Sequence, residues 1–175
     1  MINTLLWTML VFFPLLCHPQ GGIFGVLKAK YYGLLFLSFF MLLLLVEKRR
    51  IEREEFFLFG FLAMALLSSL LAEHPKLALL GNIHRYDGMI TLLAYAVVYL
   101  FFSRYGKVED RLLYAMLDSG MLVCVLGFMQ FFSLGEVYFV SFSGRAFGLM
   151  GNPNFYGSFL SLLLPLSLYV FLEKD

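Results

Sequence analysis

The sequence predicts an all-α fold: a polytopic membrane protein of about six transmembrane helices. Two observations carry that prediction. Of 175 residues, 61% are hydrophobic and 14% charged, with a mean hydropathy of +0.84. A soluble domain is roughly 45–50% apolar and about 25% charged. The charges are also clustered, leaving charge-free runs at 2–17, 31–46, 56–72, 88–103, 119–135 and 146–172. At ~1.5 Å per residue a typical run spans about 25 Å, slightly under the ~30 Å hydrocarbon core, and local bilayer adjustment covers the difference. Six such runs leave too little polar surface for a water-soluble globule.

The elements follow in order, and residues 1–175 read as a single helical bundle. The first helix, 2–17, has no Lys/Arg region ahead of it and no A-x-A site before His18, so it reads as a retained membrane helix and not a cleaved signal. "PLLC" ends in Cys17, but Leu16 is larger than the residue a lipoprotein site requires. The second helix, 31–46, begins after Lys28 and Lys30 and ends at "EKRRIEREE", where four bases balance four acids in a solvated connection. The third is expected over 56–72. The fourth, 88–103, follows Asp87, a candidate N-cap. After "SRYGKVEDR" comes the fifth, 112–134. The sixth, 153–172, opens at Asn152-Pro153, since asparagine caps well and proline favours the first helical position.

Lys and Arg counts set the expected orientation. Lys48, Arg49, Arg50, Arg53, Arg104, Lys107, Arg111 and Lys174 fall on one side. Lys28, Lys30, Lys76, Arg85 and Arg145 fall on the other. Both termini are therefore expected in the cytoplasm. Gly, Pro, His and Asn collect in the outer loops, and that concentration marks the outer face as the working one.

Composition excludes several classes. A net charge of +1 provides no basic face for nucleic acid. Cys17 and Cys124 suggest neither a disulfide framework nor a metal site, and His18, His74 and His84 match no metal spacing. No metal or other cofactor is expected. Asp118, about 10 Å along the helix from Arg111, is an intramembrane carboxylate that can also reach the inner interface. There is no nucleotide loop, catalytic triad order or paired-carboxylate signature.

Two outer segments carry chemistry. "GRAFGLMGNPNFYGSF", residues 144–159, sets three glycines around Arg145 before Asn152-Pro153-Asn154. A helix N-terminus beside an arginine is a candidate anion site, phosphate being the natural guess. The alternative is a plain helix cap with Arg145 snorkelling to head groups. In "GNIHRYDG", Arg85 either pairs with Asp87 or stands as a second outward cation. Two such arginines suit a pyrophosphate among lipid head groups.

At these two segments the sequence resembles the O-antigen ligase and O-antigen polymerase family. "RAFGLMGNPNFYGSFLSLLLPLSL" is similar to its R-x-x-G segment with Asn-Pro-Asn and a Pro-containing apolar helix. "HRYDGMITLLAYAVVYLFF" is similar to its earlier R-x-x-G segment before an aromatic-rich helix, and the order fits. The resemblance implies a multi-helix glycosyltransferase of the bacterial inner membrane. It would move glycan from an undecaprenyl-diphosphate carrier on the outer face to an acceptor, by ligation or polymerisation, in cell-surface polysaccharide biosynthesis. Arg145, Asn152 and Asn154 match one motif, and Arg85 and Gly88 the other. Of these, Arg85, Arg145, Asn152 and Asn154 are the implied substrate-binding residues and would hold the carrier diphosphate. The family places a catalytic arginine and histidine in a large outer loop beyond these segments, and His18, His74 and His84 do not match that histidine. The resemblance thus covers the N-terminal half of the family, as a truncated or split member. A second polypeptide would supply the rest, and no catalytic residue is assigned here. The competing classes are a transporter or channel fragment, and a non-catalytic subunit of a membrane complex.

Overall fold

A computed structural model of the chain describes residues 1–18, 22–47, 53–82, 85–107, 109–134 and 145–173. Among these residues every regular element is helical: α1 (Ile2–Leu15), α2 (Gly22–Glu47), α3 (Arg53–Leu70), α4 (Pro75–Leu80), α5 (Met89–Tyr105), α6 (Asp110–Phe131) and α7 (Pro153–Glu173). Three segments are long and apolar enough to cross a membrane: Phe24–Val46, Asp110–Phe131 and Pro153–Glu173. Ile2–Leu15, Glu55–Leu70 and Met89–Tyr105 are shorter apolar helices. Large side chains such as Phe36, Phe57, Phe61, Met64, Leu162 and Phe171 are exposed along these helices. A monomer in water does not tolerate apolar surface on that scale. The fold is therefore that of an all-α, membrane-embedded protein.

The chain divides into two compact units, Asn3–Lys30 with Val108–Asp175, and Tyr31–Lys107. In the first, α1 is not a uniform helix. Residues Thr8–Phe12 form a π turn just ahead of Pro14. Proline has no N–H, and its ring clashes with the carbonyl four residues back in a regular helix, so a widened turn relieves both problems. The Thr8 hydroxyl donates to the Thr4 carbonyl at 2.7 Å, a back-bond that eases helix bending. The helix stops at Leu15, and Lys30 then caps it. Its ammonium donates to the carbonyls of Phe13 (3.0 Å) and Pro14 (2.9 Å) and lies 5.2 Å from the centre of the Phe13 ring.

That cap explains why α2 begins at Gly22, well before the apolar run at 31. Lys28 and Lys30 lie inside the helix, not in an outer loop. The charge of Lys30 is met by orphan carbonyls at a helix C-terminus, where a cation is favoured, so it does not end the apolar segment.

Also in the first unit, α6 packs against α1 and α7. Ser119, Gly120, Val123, Gly127 and Gln130 are its buried positions towards the C-terminal end. Their three-, four- and seven-residue spacings set them on one face. A Cβ at Gly120 would overlap Leu163, and one at Gly127 would overlap the Tyr156 hydroxyl. Gly120 meets Leu163, while Gly127, later in α6, meets Tyr156, earlier in α7, so the two helices run antiparallel. Small residues that let helices approach closely are the usual means of association where lipid provides no hydrophobic drive.

In the second unit, Leu34, Leu37, Met41, Leu44 and Leu45 are buried in α2, again one face. Helices α3 and α5 pack together, with α4 against both. Glu55 in the first turn of α3 takes Arg104 from the last turn of α5 in a two-pronged ion pair. Nε lies 2.9 Å from Oε1 and Nη2 lies 2.6 Å from Oε2. The pair therefore runs antiparallel. Each charge also lies at the helix end its sign favours, the acid at an N-terminus and the base at a C-terminus. Both side chains are largely enclosed, 3% and 13% exposed. Tyr105 donates to the Leu44 carbonyl at 3.3 Å, tying α5 to the end of α2.

Candidate anion site at the start of α7

Residues 145–152 are the non-helical approach to α7, and they are held inward. Phe147, Gly148, Leu149 and Gly151 are buried, whereas Arg145 is exposed. Irregular backbone survives within an apolar layer only when protein groups satisfy it. Gln130 does this from α6. Its Oε1 accepts from the amides of Phe147 (3.2 Å) and Gly148 (2.8 Å), and its Nε2 donates to the Gly148 carbonyl at 2.9 Å. Gly148 stands at φ +52, and a Cβ there would lie 2.8 Å from Tyr156 Cε2 and 3.2 Å from Val123 Cγ1. The left-handed turn and the close approach both require glycine. Tyr156, on the first turn of α7, fills the space between Gly127 and Gly148, and its hydroxyl reaches the Cys124 carbonyl at 3.5 Å.

The helix start is as the residues predict. The Asn152 side chain accepts from the Asn154 amide at 2.8 Å, Pro153 is the first helical residue, and the Tyr156 amide bonds the Asn152 carbonyl at 3.0 Å. This cap limits what the N-terminus can offer an anion. Pro153 has no N–H, and the Asn154 amide is occupied by the cap, which leaves the Phe155 amide in the first turn. The paired amides of 147 and 148 would make an anion-binding concavity, but the Gln130 oxygen already fills it. For an anion at this end, the groups left to meet it are the Arg145 guanidinium and the helix dipole.

Arg85 belongs to the other unit, on an exposed turn whose amide bonds the Asn82 carbonyl at 2.9 Å. Arg145, Asn152 and Asn154 share one ten-residue stretch, 145–154, of the first unit. Around Arg85 the backbone is tightly folded. Gly81 and Gly88 approach so closely that a Cβ on Gly88 would overlap the Gly81 amide. Tyr86 takes φ +54, stacks on Tyr31 with ring centres 4.4 Å apart, and accepts at its carbonyl from the Thr91 hydroxyl. Gly88, not Asp87, occupies the N-cap of α5, and the Asp87 carboxylate instead takes the Asn82 amide at 3.4 Å. His84 lies outside the described residues. Asp118 is exposed on α6, and His74 precedes α4 as its N-cap residue. Among the described residues no group of three His, Cys, Asp or Glu side chains is placed to hold a metal ion.

Gln130 is the residue that reading the sequence overlooked. A polar amide in "LGFMQFF", well inside an apolar run, is the signal that marks it, because such groups need a partner in the membrane. No protein family, curated protein or solved structure matches the chain.

Proposed function

We propose that this chain is an O-antigen ligase- or polymerase-like component of the bacterial inner membrane that handles an undecaprenyl-diphosphate-linked glycan. Its six apolar helices cross the bilayer, both termini face the cytoplasm, and the turn before α7 opens outward. The observation that carries the reading is the Arg145-to-Asn154 stretch: an exposed arginine seven residues ahead of Asn152, which caps a helix opened by Asn-Pro-Asn. Arg145 holds a phosphate oxygen as a charged donor, and the dipole of α7 supports it. Arg85, in the other unit, is by itself a second candidate for a contact with the carrier phosphate. The acceptor is a second glycan, a lipid core or a protein.

The test is equilibrium binding of radiolabelled undecaprenyl diphosphate to the purified chain in phosphatidylethanolamine/phosphatidylglycerol nanodiscs. Arg145→Ala should weaken binding about 10- to 100-fold, the loss of one charge-assisted contact of roughly 1.5–3 kcal/mol. Equal affinity in wild type, Arg145→Ala and Arg85→Ala sinks the proposal.

A second reading, a non-catalytic subunit of a membrane complex, is favoured by one observation. No residue of α7 is buried, although it carries Ser158, Ser161 and the mid-helix Pro165. Glycan transfer that requires co-expression of a second polypeptide would support it.

A further inference from the structure

We propose that Gln130 is the positioning residue of the turn ahead of α7, and that its carboxamide sets where Arg145 and the helix start stand. The part concerning Arg145 rests on the diphosphate reading above. A glutamine oxygen has two lone pairs, and here both are used, one by each of two consecutive amides. The nitrogen of the same group returns a bond to the Gly148 carbonyl. One planar group thus fixes three backbone atoms across 17 or 18 residues of sequence, and only a residue carrying both donor and acceptor can do so. Gly148 makes it possible, because its positive φ turns its own N–H and C=O towards the same carboxamide.

Burial raises the stakes. Gln130 is 7% exposed and Phe147 1% exposed, so removing the carboxamide leaves three polar backbone atoms without water to replace it. The turn must then move outward to find partners. Asn152 follows Gly148 by four residues, so displacement of the turn displaces the α7 cap with it. Arg145 lies three residues on the other side. Gln130 touches no ligand in this scheme and acts through the turn alone.

Amide hydrogen exchange across residues 145–152, in nanodiscs and without ligand, tests the positioning directly. Wild type should be protected at the Phe147 and Gly148 amides. Gln130→Leu should lose that protection tenfold or more, with undecaprenyl diphosphate binding falling in the same variant. Gln130→Glu is the more telling variant. Its protonated carboxyl can reproduce all three bonds. Its ionised form sets an oxygen against the Gly148 carbonyl. Protection factors, corrected for intrinsic exchange, should match wild type near pH 5 and fall as pH rises towards 9. A residue that only filled space would show no such pH dependence.

Unchanged protection in Gln130→Leu overturns the proposal, as does lost protection with full diphosphate affinity. A wild-type chain that binds no diphosphate overturns the function proposed above, while the exchange result still decides the role of Gln130.

Discussion

At the scale of single residues, two glycines of the same region should respond in opposite directions to one added methyl. Gly148 has φ +52, and its missing Cβ would lie 2.8 Å from a Tyr156 ring whose hydroxyl is itself bonded to α6. Gly148→Ala should cost about 1–3 kcal/mol, combining a left-handed alanine with overpacking. Gly157, one turn into α7, has nothing within 4 Å of a built Cβ. Gly157→Ala should be neutral or stabilise by roughly 0.5–1 kcal/mol, the helix preference of alanine over glycine. Thermal unfolding of both variants in detergent micelles checks the pair, and equal shifts would contradict the packing described. Much at this scale was legible beforehand. Asn152 as cap and Pro153 as first helical residue follow from local chemistry alone. Gln130 did not, because its partners lie 17 and 18 residues away, and no local pattern announces a bond of that span.

At the scale of elements, charge clusters mark helix ends well only when the charges are solvated. Around "EKRRIEREE" the rule places a break between two helices, and the flanking helices end at Glu47 and begin at Arg53. It misplaces the start of α2, because Lys30 is satisfied by protein carbonyls and not by water. The same logic applies to Arg104, inside the last turn of α5 with Glu55 as its partner. The short α4 follows from His74-Pro75, since proline suits a first helical position. Lys30 also gives a prediction. Lys30→Met keeps a long apolar stem but removes two bonds to the end of α1. Bonds to a charged donor contribute roughly 1.5–3 kcal/mol, and relief from enclosing an ammonium offsets part of that. The net loss should be about 1 kcal/mol, read as an earlier midpoint of unfolding in SDS/detergent mixed micelles. Lys30→Arg, which can still reach both carbonyls, should keep most of the stability. If Lys30→Met unfolds at the wild-type midpoint, α1 does not depend on this cap.

At the scale of the whole molecule, the open quantity is how many helices cross the bilayer. Length and composition alone license α2, α6 and α7, while α5 at 17 residues is about 26 Å long, short of a ~30 Å core. The Glu55–Arg104 pair bears on this. A solvated arginine would end the apolar span at residue 103, but a paired one lets the last turn of α5 and the first turn of α3 lie within the apolar layer. Breaking such a pair is costly, which binds α3 and α5 together as one antiparallel unit. We therefore expect them to cross as a pair, in the proposed orientation. Cysteine labelling decides the matter in a Cys17→Ser, Cys124→Ser background. Asn82 and Lys107 flank α5, and both are exposed. If α5 crosses, Asn82→Cys should react with a membrane-impermeant maleimide in intact cells, and Lys107→Cys only after permeabilisation. If only α2, α6 and α7 cross, both positions fall in the segment between α2 and α6 and must label from the same side. Adding Glu55→Gln, which removes the charge facing Arg104, should blur the Lys107 result by weakening what holds the guanidinium at the end of α5. Same-side labelling in the parent protein would strike α5, and α3 with it, from the spans and remove the charge-count orientation built on them.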